Sequence, residues 1–89
     1  MRYALLYGAE LSDMVEFHAD LAGKLEFPPY YGRNLDALHD CLTDISCDTT
    51  LVFFDAELFA QKAGPKGQSL LRVLEDAEEE NRHFVFRKL

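Results

Sequence analysis

Positive charge is scarce in this chain, and glycine, cysteine and long apolar runs are scarce too. Nine lysines and arginines stand against 16 aspartates and glutamates, a net charge of −7, and the pI is near 4.7. So few cations argue against nucleic acid or an anionic membrane as partner, and point to a basic protein or to cations. The five glycines form no Gly-rich phosphate loop. The two cysteines, Cys41 and Cys47, have no metal-binding pair spacing and are too few for a disulfide framework. They are read as reduced structural thiols. The three histidines, His18, His39 and His83, also lack metal-ligand spacing, and no serine or cysteine has a histidine placed by a known local catalytic pattern. The apolar run Tyr3–Tyr7, closed by Glu10, is too short for a signal peptide, and no stretch approaches a membrane span. The expectation is a cytoplasmic protein that is not an enzyme and carries no cofactor and no metal.

Apolar residues make up 48% of the 89 positions, enough for a folded globule, read as one domain over residues 1–89. A chain of this length buries about 60–65% of its unfolded surface. Tyr3–Tyr7 reads as a buried strand ending at Gly8. Ser12 or Asp13, with Glu16, can cap a helix whose inner side carries Met14, Phe17, Leu21 and Leu25. His18 falls among them as a partly buried bystander, and Pro28-Pro29 stop the helix. Thr50–Asp55 is β-branched and aromatic and reads as a second buried strand. Ala56–Ala60 suggests one helical turn, and Lys62–Gly67, with its glycines and Pro65, a loop. Ser69 can cap a last helix to about Glu80, with Leu70, Leu71, Val73, Leu74 and Ala77 inward. His83–Arg87 is a final strand. The order β-α-α-β-α-α-β predicts an α/β fold with a three-stranded parallel sheet and right-handed crossovers, the first strand in the centre.

The chain is organised around Tyr30–Asp44. Leu35, Leu38, Leu42 and Ile45 lie on one stripe of a short helix, with Cys41 at its edge; Asp36, His39, Asp40 and Thr43 lie opposite. Asp36, Asp40 and Asp44 follow at i,i+4, and Asp48 keeps the spacing. Such like-charge pairs destabilise a helix by about 0.2–0.5 kcal/mol each, and no Lys or Arg stands between them. A sequence selected only to fold would mix the signs. Gly32 offers free access to positive φ and no Cβ against an approaching partner, and Asn34 or Gly32 can cap the helix. A second acidic run, Glu75 to Glu80, is either a solvated face or, through Asp76 and Glu80, an extension of the acidic surface. Asp36 with Asp40 could approach Mg²⁺, but carboxylates on one exposed helix are an incomplete cage.

The words Tyr-Tyr-Gly-x-Asn-Leu-Asp-Ala-Leu and Asp-Cys-Leu-Thr, over Tyr30–Thr43, resemble the barstar family of intracellular ribonuclease inhibitors. The resemblance implies an inhibitor, monomeric when free, of a basic secreted ribonuclease of guanyl-preferring type. The central helix and the loop before it would plug the nuclease site, with Asp40 in the place of an RNA phosphate. It further implies a binding surface of Tyr30, Asn34, Asp36, Asp40 and Thr43, with Gly32 letting the backbone approach. Asp76 would match the family's acidic residue in the last helix, and Glu80 lies one turn on. Three departures stand out: His39 where the family usually has tryptophan, Arg33 where it has an acid, and Asp44 where it has a small residue. They suggest a different cognate nuclease, a shifted docking angle, or a barstar-like module for another basic protein. His39 is either a plain solvent-facing residue or one that, protonated near about pH 6, sets a cation between Asp36 and Asp40.

Overall fold

The computed structural model describes all 89 residues. The elements are β1 (Arg2–Tyr7), α1 (Met14–Leu25), α2 (Leu35–Thr43), β2 (Thr49–Phe54), α3 (Ala56–Ala63), α4 (Pro65–Glu80) and β3 (Phe84–Lys88). The three strands form one parallel sheet in the order β1-β2-β3. The order β-α-α-β-α-α-β is as expected from the sequence, but the centre of the sheet is β2, not β1. The difference has a consequence through crossover handedness. Right-handed connections that step twice in the same direction put every helix on the same face; a central first strand would have sent them to both.

The other face is accordingly open, and the strands are buried on one side only. In β1, Ala4 and Leu6 are buried, whereas Tyr3, Leu5 and Tyr7 are 67%, 40% and 42% exposed. β2 and β3 alternate in the same sense. An apolar run reads alike whether one or both of its faces are covered, so the expectation of fully buried strands fails at β1. On the covered face, Phe17 of α1, Phe53 of β2 and Phe59 of α3 form the aromatic centre of the core, with Phe17 5.8 Å from each of the other two rings.

Asp13, not Ser12, caps α1: its carboxylate accepts the Glu16 N–H at 2.9 Å, while Glu16 accepts the Ser12 N–H at 2.7 Å. The expected loop at Lys62–Gly67 does not exist. α3 runs on to Ala63, Gly64 at φ 74° is the whole joint, and α4 begins at Pro65, a position where proline's missing N–H costs nothing. Ser69 therefore lies inside α4 and caps nothing; its hydroxyl donates to the Pro65 carbonyl at 3.4 Å. Gly67 is needed for close packing rather than for a turn, because a Cβ there would collide with the Ala60 backbone.

Candidate functional site

α2 is held by its ends and by one apolar stripe. Asn34 caps the start, its carboxamide oxygen accepting the Ala37 N–H at 2.7 Å. Leu38 and Leu42 are fully buried, while Leu35, Cys41 and Ile45 are only half-buried at the edges. The far end is tied down by Asn81, which the sequence reading passed over. This buried residue, just past α4, donates to the carbonyls of Leu42 and Ile45, both at 2.9 Å, and accepts the His83 N–H at 3.0 Å. A polar residue between an acidic helix and an apolar strand was the only hint of it. Its effect is to lock the C-terminal end of α2 against α4 and β3.

The glycine turn works differently from its sequence reading. The positive φ falls on Arg33, at 53°, and Gly32 has none. Glycine is wanted at 32 for space: a Cβ would lie 3.2 Å from the Asn34 carboxamide nitrogen and 3.3 Å from the Ala37 Cβ.

Asp36, Asp40 and Asp44 are all exposed on the outer side of α2. No Lys or Arg ion pair reaches them. Asp48 leaves the row; it lies beyond the helix and pairs with His83 at 3.0 Å. Tyr30, Asp40, Thr43 and Asp44 line one open depression of about 480 Å³. Tyr30 is 86% exposed. Thr43 turns its hydroxyl back to the carbonyls of His39 and Asp40, at 2.9 and 3.2 Å. Asn34 and Asp36 sit instead at the start of the helix, beside a separate pocket.

α4 supplies the other half of the acidic face. Glu80 Oε2 lies 2.9 Å from His39 Nε2, while His39 Nδ1 is 3.9 Å from Asp40. The imidazole thus spans α2 and α4, with Glu80 as a partner that neither alternative for His39 foresaw. The bond to Glu80 raises the His39 pKa above its ordinary value, and the charges of Glu80, Asp40 and Asp76 add to the effect. Asp76 and Glu80 therefore join Asp40 around one titratable group. The rest of the acidic run divides. Glu78 accepts the Phe86 N–H at 2.9 Å and closes the edge of β3, a local structural task. No group of three or more His, Cys, Asp or Glu side chains is arranged to hold a metal ion. The two cysteines are free, and no helix is long and apolar enough to cross a membrane.

A small parallel α/β fold that displays an acidic helix between a glycine turn and the end of α4 defines a class. A family model described as "Barstar (barnase inhibitor)" matches residues 1–88, and the chain belongs to the barstar family. It is also similar to a protein of Bacillus subtilis (strain 168) named "Putative ribonuclease inhibitor YrdF", with 41% identity over 81 residues, 90% of this chain and 89% of that protein.

Proposed function

We propose that this protein inhibits a small, basic, secreted ribonuclease by occluding its active site with α2 and the turn before it. A ribonuclease holds a polyanion, so its cleft is cationic, and a rigid display of carboxylates competes for it. The observation that carries the reading is the row Asp36–Asp40–Asp44, exposed on one helix with no lysine or arginine paired to it. In this reading Asp40 replaces an RNA phosphate. The depression between Tyr30, Asp40, Thr43 and Asp44 receives a basic side chain of the enzyme, and Asp76 with Glu80 extends the contact. Gly32 and Asn34 let the chain approach closely at the turn. Charge steering then speeds capture, which suits an inhibitor acting as a monomer in the cytoplasm to protect its host's RNA.

The test is titration of the protein into a panel of guanyl-preferring bacterial ribonucleases while RNA cleavage is followed at two salt concentrations. Stoichiometric inhibition, with an association rate that falls as salt rises, is expected. Full cleavage across the panel in the presence of excess protein would overturn the reading. One observation favours a second reading, a different basic partner: His39 takes up Glu80 within the chain, so this face does not offer the large ring usual in the family. Recovery of a non-nuclease basic protein that binds through Asp40 would select that reading.

A further inference from the structure

Three helices begin at one place. α1 starts at Met14, α2 at Leu35 and α4 at Pro65, and residues from the start of each line a single pocket of about 420 Å³. That volume is in the range of small-molecule sites, roughly 300–1,000 Å³. Its apolar walls are Met14, Val15 and Leu35; the exposed Arg33 and Lys66 join the lining from two separate segments, with His18, Asn34 and Asp36 as the other polar residues. Neither cation has an ion-pair partner in the chain, although the protein carries a net charge of −7. Arg33 also holds a left-handed backbone, φ 53°, which is unfavourable for a residue with a Cβ.

The second observation is His18, the one buried residue in the lining, 4% exposed. Its Nδ1 lies 2.6 Å from the Tyr31 hydroxyl. Burial, and then the charge of Cys41, push the Tyr31 pKa upward, so this hydroxyl keeps its proton. It has no other acceptor in the chain, so it donates to Nδ1. Burial and the nearby Arg33 hold the imidazole pKa below its ordinary value, and the ring is neutral. A neutral ring that accepts at Nδ1 carries its proton on Nε2. That N–H has no partner in the protein, yet no enclosed side-chain polar atom is left unpaired. The Nε2–H is therefore not enclosed, and of the molecule's four cavities His18 lines only this one.

We propose that this pocket is a binding site for an organic monocarboxylate with a short apolar body, its carboxylate held by His18 Nε2–H, Arg33 and Lys66 and its body against Met14, Val15 and Leu35. Three helix N-termini add partial positive charge in the same place. Asp36 also lines the pocket; with Arg33 and Lys66 it leaves a net charge of +1, which suits a monoanion better than a phosphate dianion. The pocket is distinct from the Asp40 depression, although Asn34 and Asp36, part of the proposed nuclease-binding face, also line it.

The test is NMR titration of the full ¹⁵N-labelled chain with phenylacetate, following the His18 ring N–H and the backbone amides of residues 34–36. Phenylacetamide lacks the charge and acetate lacks the body; both serve as controls. Saturable shifts with phenylacetate are expected, with affinity at least about threefold above either control. Arg33→Asn and Lys66→Gln are surface changes that preserve folding, since asparagine tolerates the left-handed backbone; each should weaken binding roughly threefold or more. N-acetyl-glycyl-phenylalanine offers the same chemistry as a chain end, and tighter binding than phenylacetate assigns the pocket to peptide termini instead of free acids. Shifts that do not saturate, equal affinity for phenylacetamide, or an unchanged affinity in the Arg33→Asn, Lys66→Gln double variant would overturn the site.

Discussion

Two regions share α2 and treat charge in opposite ways. On the outer face, Asp36, Asp40 and Asp44 stand in a row with no lysine or arginine to relieve them. At the helix starts, Arg33 and Lys66 stand without a carboxylate partner. A chain with 16 acids and nine bases has ample means to pair the latter, yet the surface ion pairs it forms lie elsewhere. Segregating the two signs this way does not help folding. Each region also contains a histidine whose surroundings fix its behaviour: His39, bridged to Glu80 on the face, is made easier to protonate, and His18, buried against Tyr31, is made harder. Unpaired charge at a rigid surface is useful for binding and neutral or harmful for stability, so substitutions in the two regions should separate the two.

The largest effect is expected on the face. Asp40→Ala should weaken binding to a cognate ribonuclease by about 2–5 kcal/mol, a magnitude taken over from interfacial charge pairs, including those of the barnase–barstar system itself. Folding stability should move by less than about 0.5 kcal/mol, as for other exposed positions. Titration calorimetry and urea unfolding on the same variant measure the two. A variant that binds normally, or one that unfolds, would break the division between a binding face and a folding core.

The buried side should respond in reverse. Tyr31→Phe deletes the partner of His18 Nδ1 in the interior and should cost about 1–3 kcal/mol of stability. Binding through Asp40 should persist, because Tyr31 is buried against His18 and Phe27. Denaturant unfolding alongside an inhibition assay would show it.

The two histidines should give stability opposite dependences on pH. The folded pKa of His39 is raised above 6.5, so its contribution is fully present below pH 6.5 and is lost as pH rises through the folded value. The folded pKa of His18 is lowered below 6.5, so its contribution is present above pH 6.5 and is lost as pH falls through the folded value. NMR titration of the imidazoles should find two midpoints on either side of 6.5. Glu80→Gln should bring the His39 midpoint back down while leaving that of His18 in place. Two coincident midpoints would dissolve the contrast.

The smallest effect concerns the end of the row. Asp44 caps the C-terminus of α2, where a carboxylate opposes the helix dipole. Asp44→Asn should therefore stabilise the fold by about 0.3–1 kcal/mol. A thermal melt of the variant should shift upward, and loss of stability would show that Asp44 has a structural role.

The acidic row was legible because helical spacing alone determines which residues share a face: Asp36, Asp40 and Asp44 align on any helix that buries Leu38 and Leu42. The element order was legible for the same reason, being local, and the helix cap was narrowed to Asn34 or Gly32, of which Asn34 caps. The joint at Gly64 was not. Lys62–Gly67 carries every mark of a loop, but Gly67 is there so that α4 can lie against Ala60, a contact between two helices that no local pattern encodes. The partner of His39 was missed likewise. Residues on one helix were the only visible neighbours, and Glu80 lies 41 positions away.

By itself, then, the sequence determined the order of the strands and helices, the apolar and acidic sides of α2, the surplus of negative charge and the family to which the chain belongs. The elements, the two sides of α2 and the charge follow from periodicity and composition within a short window; the family follows from the motif over Tyr30–Thr43. Only the tertiary structure decided that β2 is central and one sheet face open, that α4 brings Asp76 and Glu80 to Asp40, and that three helix starts close a pocket over His18. Those outcomes depend on how crossovers stack helices on the sheet, and packing between distant segments leaves no periodic trace in the chain.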